Sequence, residues 1–301
     1  MLGHLRSWQC KDSRLLREIT LTSVATLRAP EPTPARRSTS RRYVMCRPDH
    51  FEVAYSINPW MDPGAPVDRA LALAQWDTLR RCFESHGHSV EVVPGVPGLP
   101  DMVFAANSGV VIGARAMSAR FTHPERAAEG PAYHAWFAER GFAHLVAAGE
   151  INEGEGDFLR VGDRILAATG FRSSPAAHRE VESFFGRPVV TLGLVDPRFY
   201  HLDTALMALD EHTVAYYPAA FDAESLDVLA ALYPDAILAR EADALVLGLN
   251  GVSDGHNVFL AARAHGLADA LRERGYNPVG IDLSELLKAG GGVKCCTLEL
   301  H

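Results

Sequence analysis

Near its C-terminal end the chain reads Gly290-Gly291-Gly292-Val293-Lys294-Cys295-Cys296, a glycine-flanked pair of thiols. A thiolate is a strong nucleophile, and glycines let the backbone take φ > 0 and pass close to a ligand. One of the two is a candidate catalytic atom. The competing account is a pair of ordinary buried cysteines on a closing strand over 294–300. Other chemistry-bearing residues lie far away in sequence. His201-Leu202-Asp203-Thr204 reads as the opening of a strand, which would point His201 and Asp203 to one side, the imidazole serving as general acid and base. A surface or core histidine is the plainer alternative.

Glu153-Gly154-Glu155-Gly156-Asp157 sets three carboxylates within five residues, suited to gripping a cation or to forming no more than a solvated acidic turn. Asp101 and Asn107 bracket a short apolar segment. Arg172, after Gly170-Phe171, offers a guanidinium that could clamp a carboxylate or pair at the surface. Asn58 and Asn250 occupy comparable loop positions. Metal is a poor account of this set, because the clustered thiols are adjacent and no C-x-x-C or H-x-x-x-H spacing occurs. A thiol, a histidine and paired acids fit covalent catalysis on a planar cation: the acids bind it, the thiolate attacks its electrophilic carbon, and the histidine protonates the leaving amine and later activates water.

Residues so dispersed need a scaffold that gathers them, and the chain carries a repeat that would do so. From Tyr43 it replays one phrase: a hairpin, an amphipathic helix, then a short strand. Helices are expected over 67–86, 131–140, 176–185, 223–233 and 261–274, with Leu71, Ala74, Leu79 and Phe83 on the buried face of the first. Strands should follow over 89–93, 143–147, 189–194, 236–239 and 279–283. Hairpins pair 102–104 with 109–112, 158–159 with 165–168, 204–208 with 213–217, and 245–247 with 257–261. Their turns fall at Gly113, Gly162-Asp163, Asp210-Glu211 and Asp254-Gly255. The opening strand at 43–45 and the closing strand at 294–300 supply a fifth copy. Five ββαβ units close into an α/β propeller with their loops at a shared centre. An open doubly wound sheet is less attractive, since no G-x-G-x-x-G fingerprint occurs and no cofactor is expected.

The net charge of −8 hides an asymmetry: residues 1–42 carry nine Lys/Arg against three Asp/Glu, so residues 43–301 stand at −14. An acidic body disfavours nucleic acid and suits a cationic small-molecule substrate. Residues 1–42 read as a disordered basic leader with nothing to pack, and 43–301 as the catalytic domain. Five cysteines without a pairing pattern point to free thiols and a cytoplasmic setting. No apolar run is long enough to span a membrane. Self-association stays open.

Six ordered motifs, covering 43–301, carry a resemblance: Ser56-Ile57-Asn58-Pro59-Trp60-Met61, Pro100-Asp101-Met102-Val103-Phe104-Ala105-Ala106-Asn107, Glu153-Gly154-Glu155-Gly156-Asp157, Gly170-Phe171-Arg172-Ser173, Phe199-Tyr200-His201-Leu202-Asp203-Thr204 and the 290–298 segment. Together they are similar to the guanidino-group-modifying superfamily, which includes dimethylarginine dimethylaminohydrolase, arginine deiminase, arginine dihydrolase and the amidinotransferases. The resemblance implies a five-bladed α/β propeller and a covalent Cys-thiouronium intermediate. It makes Cys295 the nucleophile, with Cys296 packed behind it. It makes His201 the acid-base and Glu153 the acid that orients it or holds the guanidinium, and gives Asp101, Asp157 and Asp203 further guanidinium contacts. Arg172 would hold the substrate carboxylate, with Asn250 near the amino-acid end. Asn107 replaces the acidic pair of animal methylarginine hydrolases and, with Asn58, resembles bacterial arginine dihydrolases. The resemblance therefore favours arginine as substrate and ornithine, ammonia and carbon dioxide as products. Alternatives are dimethylarginine or arginine hydrolysis stopping at citrulline, transfer to a second amine, or an arginine-binding propeller without catalysis.

Overall fold

In a computed structural model of the chain, residues 36–301 are described. Five three-stranded sheets make up the fold, and each repeats one pattern: two antiparallel strands, a crossover helix, and a third strand parallel to the second. The first blade joins β1 (Arg42–Cys46), α1 (Arg69–Ser85) and β2 (Ser89–Val93) to β15 (Leu298–Glu299), whose antiparallel pairing Tyr43↔Glu299 and Val44↔Leu298 closes the ring. The second is β3 (Gly109–Ile112), β4 (Arg115–Ser118), α2 (Glu129–Glu139) and β5 (His144–Ala147). The third is β6 (Phe158–Val161), β7 (Arg164–Thr169), α3 (Pro175–Phe185) and β8 (Val189–Gly193). A helical turn, α4 (Leu202–Ala205), precedes the fourth: β9 (Leu206–Ala208), β10 (Val214–Tyr216), α5 (Ala223–Leu232) and β11 (Ile237–Leu238). Another, α6 (Glu241–Ala244), precedes the fifth: β12 (Val252–Ser253), β13 (Asn257–Ala261), α7 (His265–Glu273) and β14 (Asn277–Ile281), with α8 (Ser284–Leu287) after it. The chain is a five-bladed α/β propeller of ββαβ units.

Local chemistry explains the boundaries. Asp68, Ser174 and Asp222 cap α1, α3 and α5, each side chain accepting a first-turn N–H. Gly186 ends α3 in the left-handed region at φ 65°. Helix faces pack onto strands of two neighbouring blades: Ala177, Val181 and Phe185 of α3 meet Val110 and Met117 as well as Phe158 and Ile165. Each Val, Ile, Phe or Met side chain so withdrawn from water contributes about 1.5–3 kcal/mol. The buried face of α1 is Ala72, Gln75, Trp76, Leu79 and Phe83; Leu71 and Ala74, expected inside, are exposed. Spacing alone could not choose between faces offset by one residue.

Several expected strands are turns. Residues 102–104 lie in 3-10 turns, 245–247 form a turn in which Leu247 holds φ 52°, and Lys294–Cys296 curl before β15 begins. His201 does not open a strand; it caps α4. At 294–296 the turn is closed by side chains, Thr297 Oγ1 donating to Val293 O at 2.8 Å and Lys294 Nζ to Thr297 O at 3.0 Å. The expected leader falls largely outside the described residues, but its last part, expected to pack on nothing, lies against the body. Arg36 reaches Asp210 at 2.6 Å and stacks 3.5 Å from the Tyr276 ring centroid, and Thr39 N donates to Asp254 O.

Candidate active site

Each blade's first strand is preceded by a turn, and the five turns carry Asn107, Glu153 to Asp157, His201 with Asp203, Asn250, and Cys295. Hydrogen bonds join them into a closed circuit. Asn107 Nδ2 donates to Glu153 O at 3.4 Å, and Leu202 N to Asp157 Oδ1 at 3.2 Å. Asn250 Nδ2 donates to Asp203 O at 3.1 Å, Cys295 N to Asn250 Oδ1 at 3.0 Å, and Ala106 N to Cys295 O at 3.0 Å. Five sequence-distant turns thus become one buried cluster.

The glycines permit the approach. Gly290 sits at φ 84°, and a Cβ on Gly291 would strike the Phe104 ring, one on Gly292 the Asn250 side chain. A Cβ on Gly156 would lie 2.4 Å from Asn107 Nδ2 and 3.2 Å from the His201 ring. That is the physical content of the Glu-Gly-Glu-Gly-Asp spacing.

At the thiol end, Cys295 Sγ donates to Asp203 Oδ2 at 3.3 Å and accepts from Asn250 Nδ2 at 3.1 Å. Burial and the Asp203 carboxylate push this thiol well above its ordinary value. Burial likewise raises Asp203 to about 7, opposed by Lys294 and the bonds from Cys295 and Asn250. Cys296 is fully buried in the apolar cluster with Met45 and Tyr43.

At the other end His201 Nε2 lies 2.8 Å from Glu153 Oε2, which also accepts from Arg172 at 2.9 Å. Burial alone would raise Glu153; the Arg172 charge, the His201 bond and Arg126 more than offset it, and the carboxyl stays below the usual range. A carboxylate so held can orient the imidazole without taking its proton. Asp101 accepts from Tyr55 at 3.0 Å and is raised by burial.

Three buried polar atoms here have no partner: Asp101 Oδ1, Asp203 Oδ1 and His201 Nδ1. Two carboxylate oxygens and one ring nitrogen without bonds are acceptors that the N–H groups of a planar cation would satisfy.

Other expected site residues are occupied within the protein. Asp157 accepts from Ser173 Oγ at 2.6 Å and Leu202 N at 3.2 Å, so it braces two blades instead of presenting a free oxygen to a guanidinium. Asn58 bonds Ala289 O at 3.1 Å and Trp60 N at 2.9 Å, tying its loop to the segment before the nucleophile. Asn250, expected at the amino-acid end, grips Cys295. Arg172 uses two nitrogens on Glu153 and Ile57 O. Asn107 receives Arg126 at 2.9 Å on its oxygen.

Arg126 escaped the sequence. Its buried guanidinium forks onto Glu129 at 2.9 and 2.8 Å, bonds Asn107, and lies 3.9 Å from both Asp101 and Glu153. Its only local mark is Glu129 three positions on. Tyr200, whose hydroxyl donates to Gly290 O at 2.8 Å, stands in one of the six motifs but was given no role there.

No protein-family model matches the chain. It is 54 % identical over 270 residues, 89 % of each chain, to a Mycobacterium tuberculosis protein named N(G),N(G)-dimethylarginine dimethylaminohydrolase. It is 38 % identical to the Synechocystis bifunctional arginine dihydrolase/ornithine cyclodeaminase ArgZ, over 86 % of this chain and 37 % of that longer protein. Among solved structures, the N-terminal domain of a substituted ArgZ covalently bound to a reaction intermediate superposes with a TM-score of 0.82 at 36 % identity, covering 87 % of this chain and 98 % of that one. With the propeller, the thiol cluster and this identity in agreement, the chain belongs to the guanidino-group-modifying hydrolases of the dimethylarginine dimethylaminohydrolase and arginine dihydrolase type, enzymes of C–N bonds in linear amidines.

Proposed function

We propose that the protein hydrolyses Nω,Nω-dimethylarginine to citrulline and dimethylamine, with Cys295 as nucleophile and without a cofactor. The observation that carries the site assignment is the Cys295 thiol lying between Asp203 and Asn250, in one circuit with the Glu153–His201 pair. The substrate is favoured by the 54 % relative named for dimethylarginine, against 38 % for the arginine dihydrolase.

In the resting site the thiol keeps its proton because a buried carboxylate sits 3.3 Å away. A guanidinium entering between Asp101 and Asp203 neutralises that repulsion, and the thiol proton passes by way of solvent to His201, which becomes the imidazolium that serves the next step. The thiolate adds to the guanidinium carbon; His201 protonates the departing dimethylamine as the C–N bond breaks, leaving a thiouronium on Cys295. Water then adds with its proton passing to His201, the C–S bond breaks, and citrulline leaves as the thiol is restored. The covalent intermediate of the ArgZ domain supports this route. Four free cysteines among the described residues support a reducing, cytoplasmic setting.

A second reading keeps arginine as substrate and ornithine as product. Asn107 supports it: its amide is fixed beside Glu153 O by Arg126 and can hydrogen-bond a neutral ureido group without a carboxylate's preference for cations. Incubating the purified protein with dimethylarginine and, separately, arginine, then quantifying citrulline, ornithine, dimethylamine and ammonia, decides between them. Citrulline with equimolar dimethylamine supports the first; ornithine from arginine with no turnover of dimethylarginine overturns it.

A further inference from the structure

Lys294 precedes Cys295, is nine-tenths buried, and has no part in the chemistry above. Its ammonium donates to Glu155 Oε2 at 2.5 Å and to Thr297 O at 3.0 Å. The second bond closes the turn that holds both cysteines, which Thr297 N→Lys294 O at 2.8 Å and Thr297 Oγ1→Val293 O at 2.8 Å also close. The first fastens that turn to the one carrying Glu153, two residues before Glu155, and Glu155 Oε2 receives Glu299 N at 3.0 Å as well. One side chain therefore spans the nucleophile's turn and the turn of the histidine's partner.

Charge points the same way. Arg126 and Arg172 bond Glu129, Asn107 and Glu153, at the His201 end. At the thiol end stand Asp203, Cys296 and the Tyr200 hydroxyl, with Glu155 and Glu299 behind and the His301 imidazole 3.6 Å from Glu155 Oε1. Acidic groups dominate there, and Lys294 is the cation that acts on Asp203.

We infer that Lys294 is a positioning residue for the nucleophile: its ammonium, clamped to Glu155, fixes the Cys295 turn and supplies the positive charge that lets the Asp203–Cys295 pair carry a thiolate. This rests on Cys295 as nucleophile. Alkylation reads the thiol without turnover, so a failure here is separable from a failure of that assignment, which would appear as turnover retained by Cys295→Ser.

The test is the pH dependence of Cys295 alkylation by iodoacetamide, in which the thiolate displaces iodide and the thiol proton goes to solvent, followed by peptide mass spectrometry. Lys294→Met should move the midpoint upward by about one pH unit, a tenfold loss of thiolate at a given pH. Lys294→Arg should restore it. The double variant Lys294→Met/Glu155→Gln should fall below Lys294→Met but stay above wild type, because the beneficiary is Asp203–Cys295 and not Glu155 alone. Glu155→Gln by itself, which leaves the ammonium and should fold if the Met variants do not, should lower the midpoint. A Lys294→Met profile like wild type, a double variant back at wild type, or an unmoved Glu155→Gln would each overturn the inference.

Discussion

Asn250 holds Cys295 by two atoms at once, its Oδ1 accepting from the cysteine N–H at 3.0 Å and its Nδ2 donating toward the thiol sulfur at 3.1 Å. A single amide thereby fixes both the backbone and the thiol of Cys295, and its remaining N–H reaches Asp203 O. Asparagine is the one common side chain with a donor and an acceptor at this reach.

Asn250→Asp tests the double grip. The carboxylate can still accept from Cys295 N but faces the sulfur with negative charge, so turnover should fall by about two orders of magnitude or more. Asn250→Ala should lose less than Asn250→Asp, since it removes support without adding repulsion. Steady-state rates of the two variants check the order; an Asp variant as active as wild type would remove Asn250 from the nucleophile's support.

The adjacent thiols should separate cleanly. Cys295→Ser should lower turnover by about 10³-fold or more, the hydroxyl being a far poorer nucleophile at neutral pH. Cys296→Ser places a hydroxyl in the apolar cluster around Met45 and should reduce melting temperature more than rate. Intact-protein mass spectrometry of quenched reactions should show the adduct only where Cys295 is present.

Much of this site was legible because turns recur. Asp254-Gly255 and Gly162-Asp163 marked hairpins that the structure contains, and the period between them called for a closed ring. That placed Cys295, His201, Glu153 and Asp203 at one centre before any coordinates. What spacing could not convey is which oxygen each side chain leaves free. Asp101, Asp157 and Asp203 look alike in sequence, yet Ser173 and Leu202 N occupy Asp157 while Asp101 and Asp203 each keep an unbonded oxygen. Arg126 was invisible for the converse reason: its partners Asn107, Asp101 and Glu153 come from other turns, and nothing local distinguishes a buried guanidinium from a solvated one.

Asp203 should leave a signature in stability. Its folded value of about 7 lies above the ordinary value of about 4 for an unfolded aspartate, so between these the folded state binds more protons. The stabilisation is complete below about pH 4 and is lost as pH rises through 7. Asp203→Asn removes this dependence: melting temperature should fall less between about pH 4.5 and pH 8 than in wild type, and at pH 8 the variant should melt higher while turnover collapses. Asp157, raised by burial to about 6, acts in the same direction, so the slope should shrink without vanishing. Parallel melting curves for the two proteins would show that the buried carboxylate ionises without penalty.

Access to the thiol should depend on the loop at 51–61. Cys295 is only 2 % exposed, and the loop is fastened to other parts of the ring by four bonds, one of them Tyr55 Oη to Asp101 Oδ2 at 3.0 Å. Trp60 Nε1 donates to Arg198 O at 2.8 Å, Asn58 Nδ2 to Ala289 O at 3.1 Å, and Arg172 to Ile57 O at 2.9 Å. A backbone segment held by few bonds is the cheapest part of a structure to open, at about 0.5–1.5 kcal/mol for each bond released. Trp60→Phe keeps an aromatic ring and deletes one donor. Alkylation of Cys295 by a bulky maleimide should accelerate by about three- to tenfold while the helical circular-dichroism signal is unchanged. Substrate KM should rise more than kcat falls, the result expected of a loop that gates entry and supplies no reacting group. A maleimide rate identical to wild type would mean that the thiol is reached by another path.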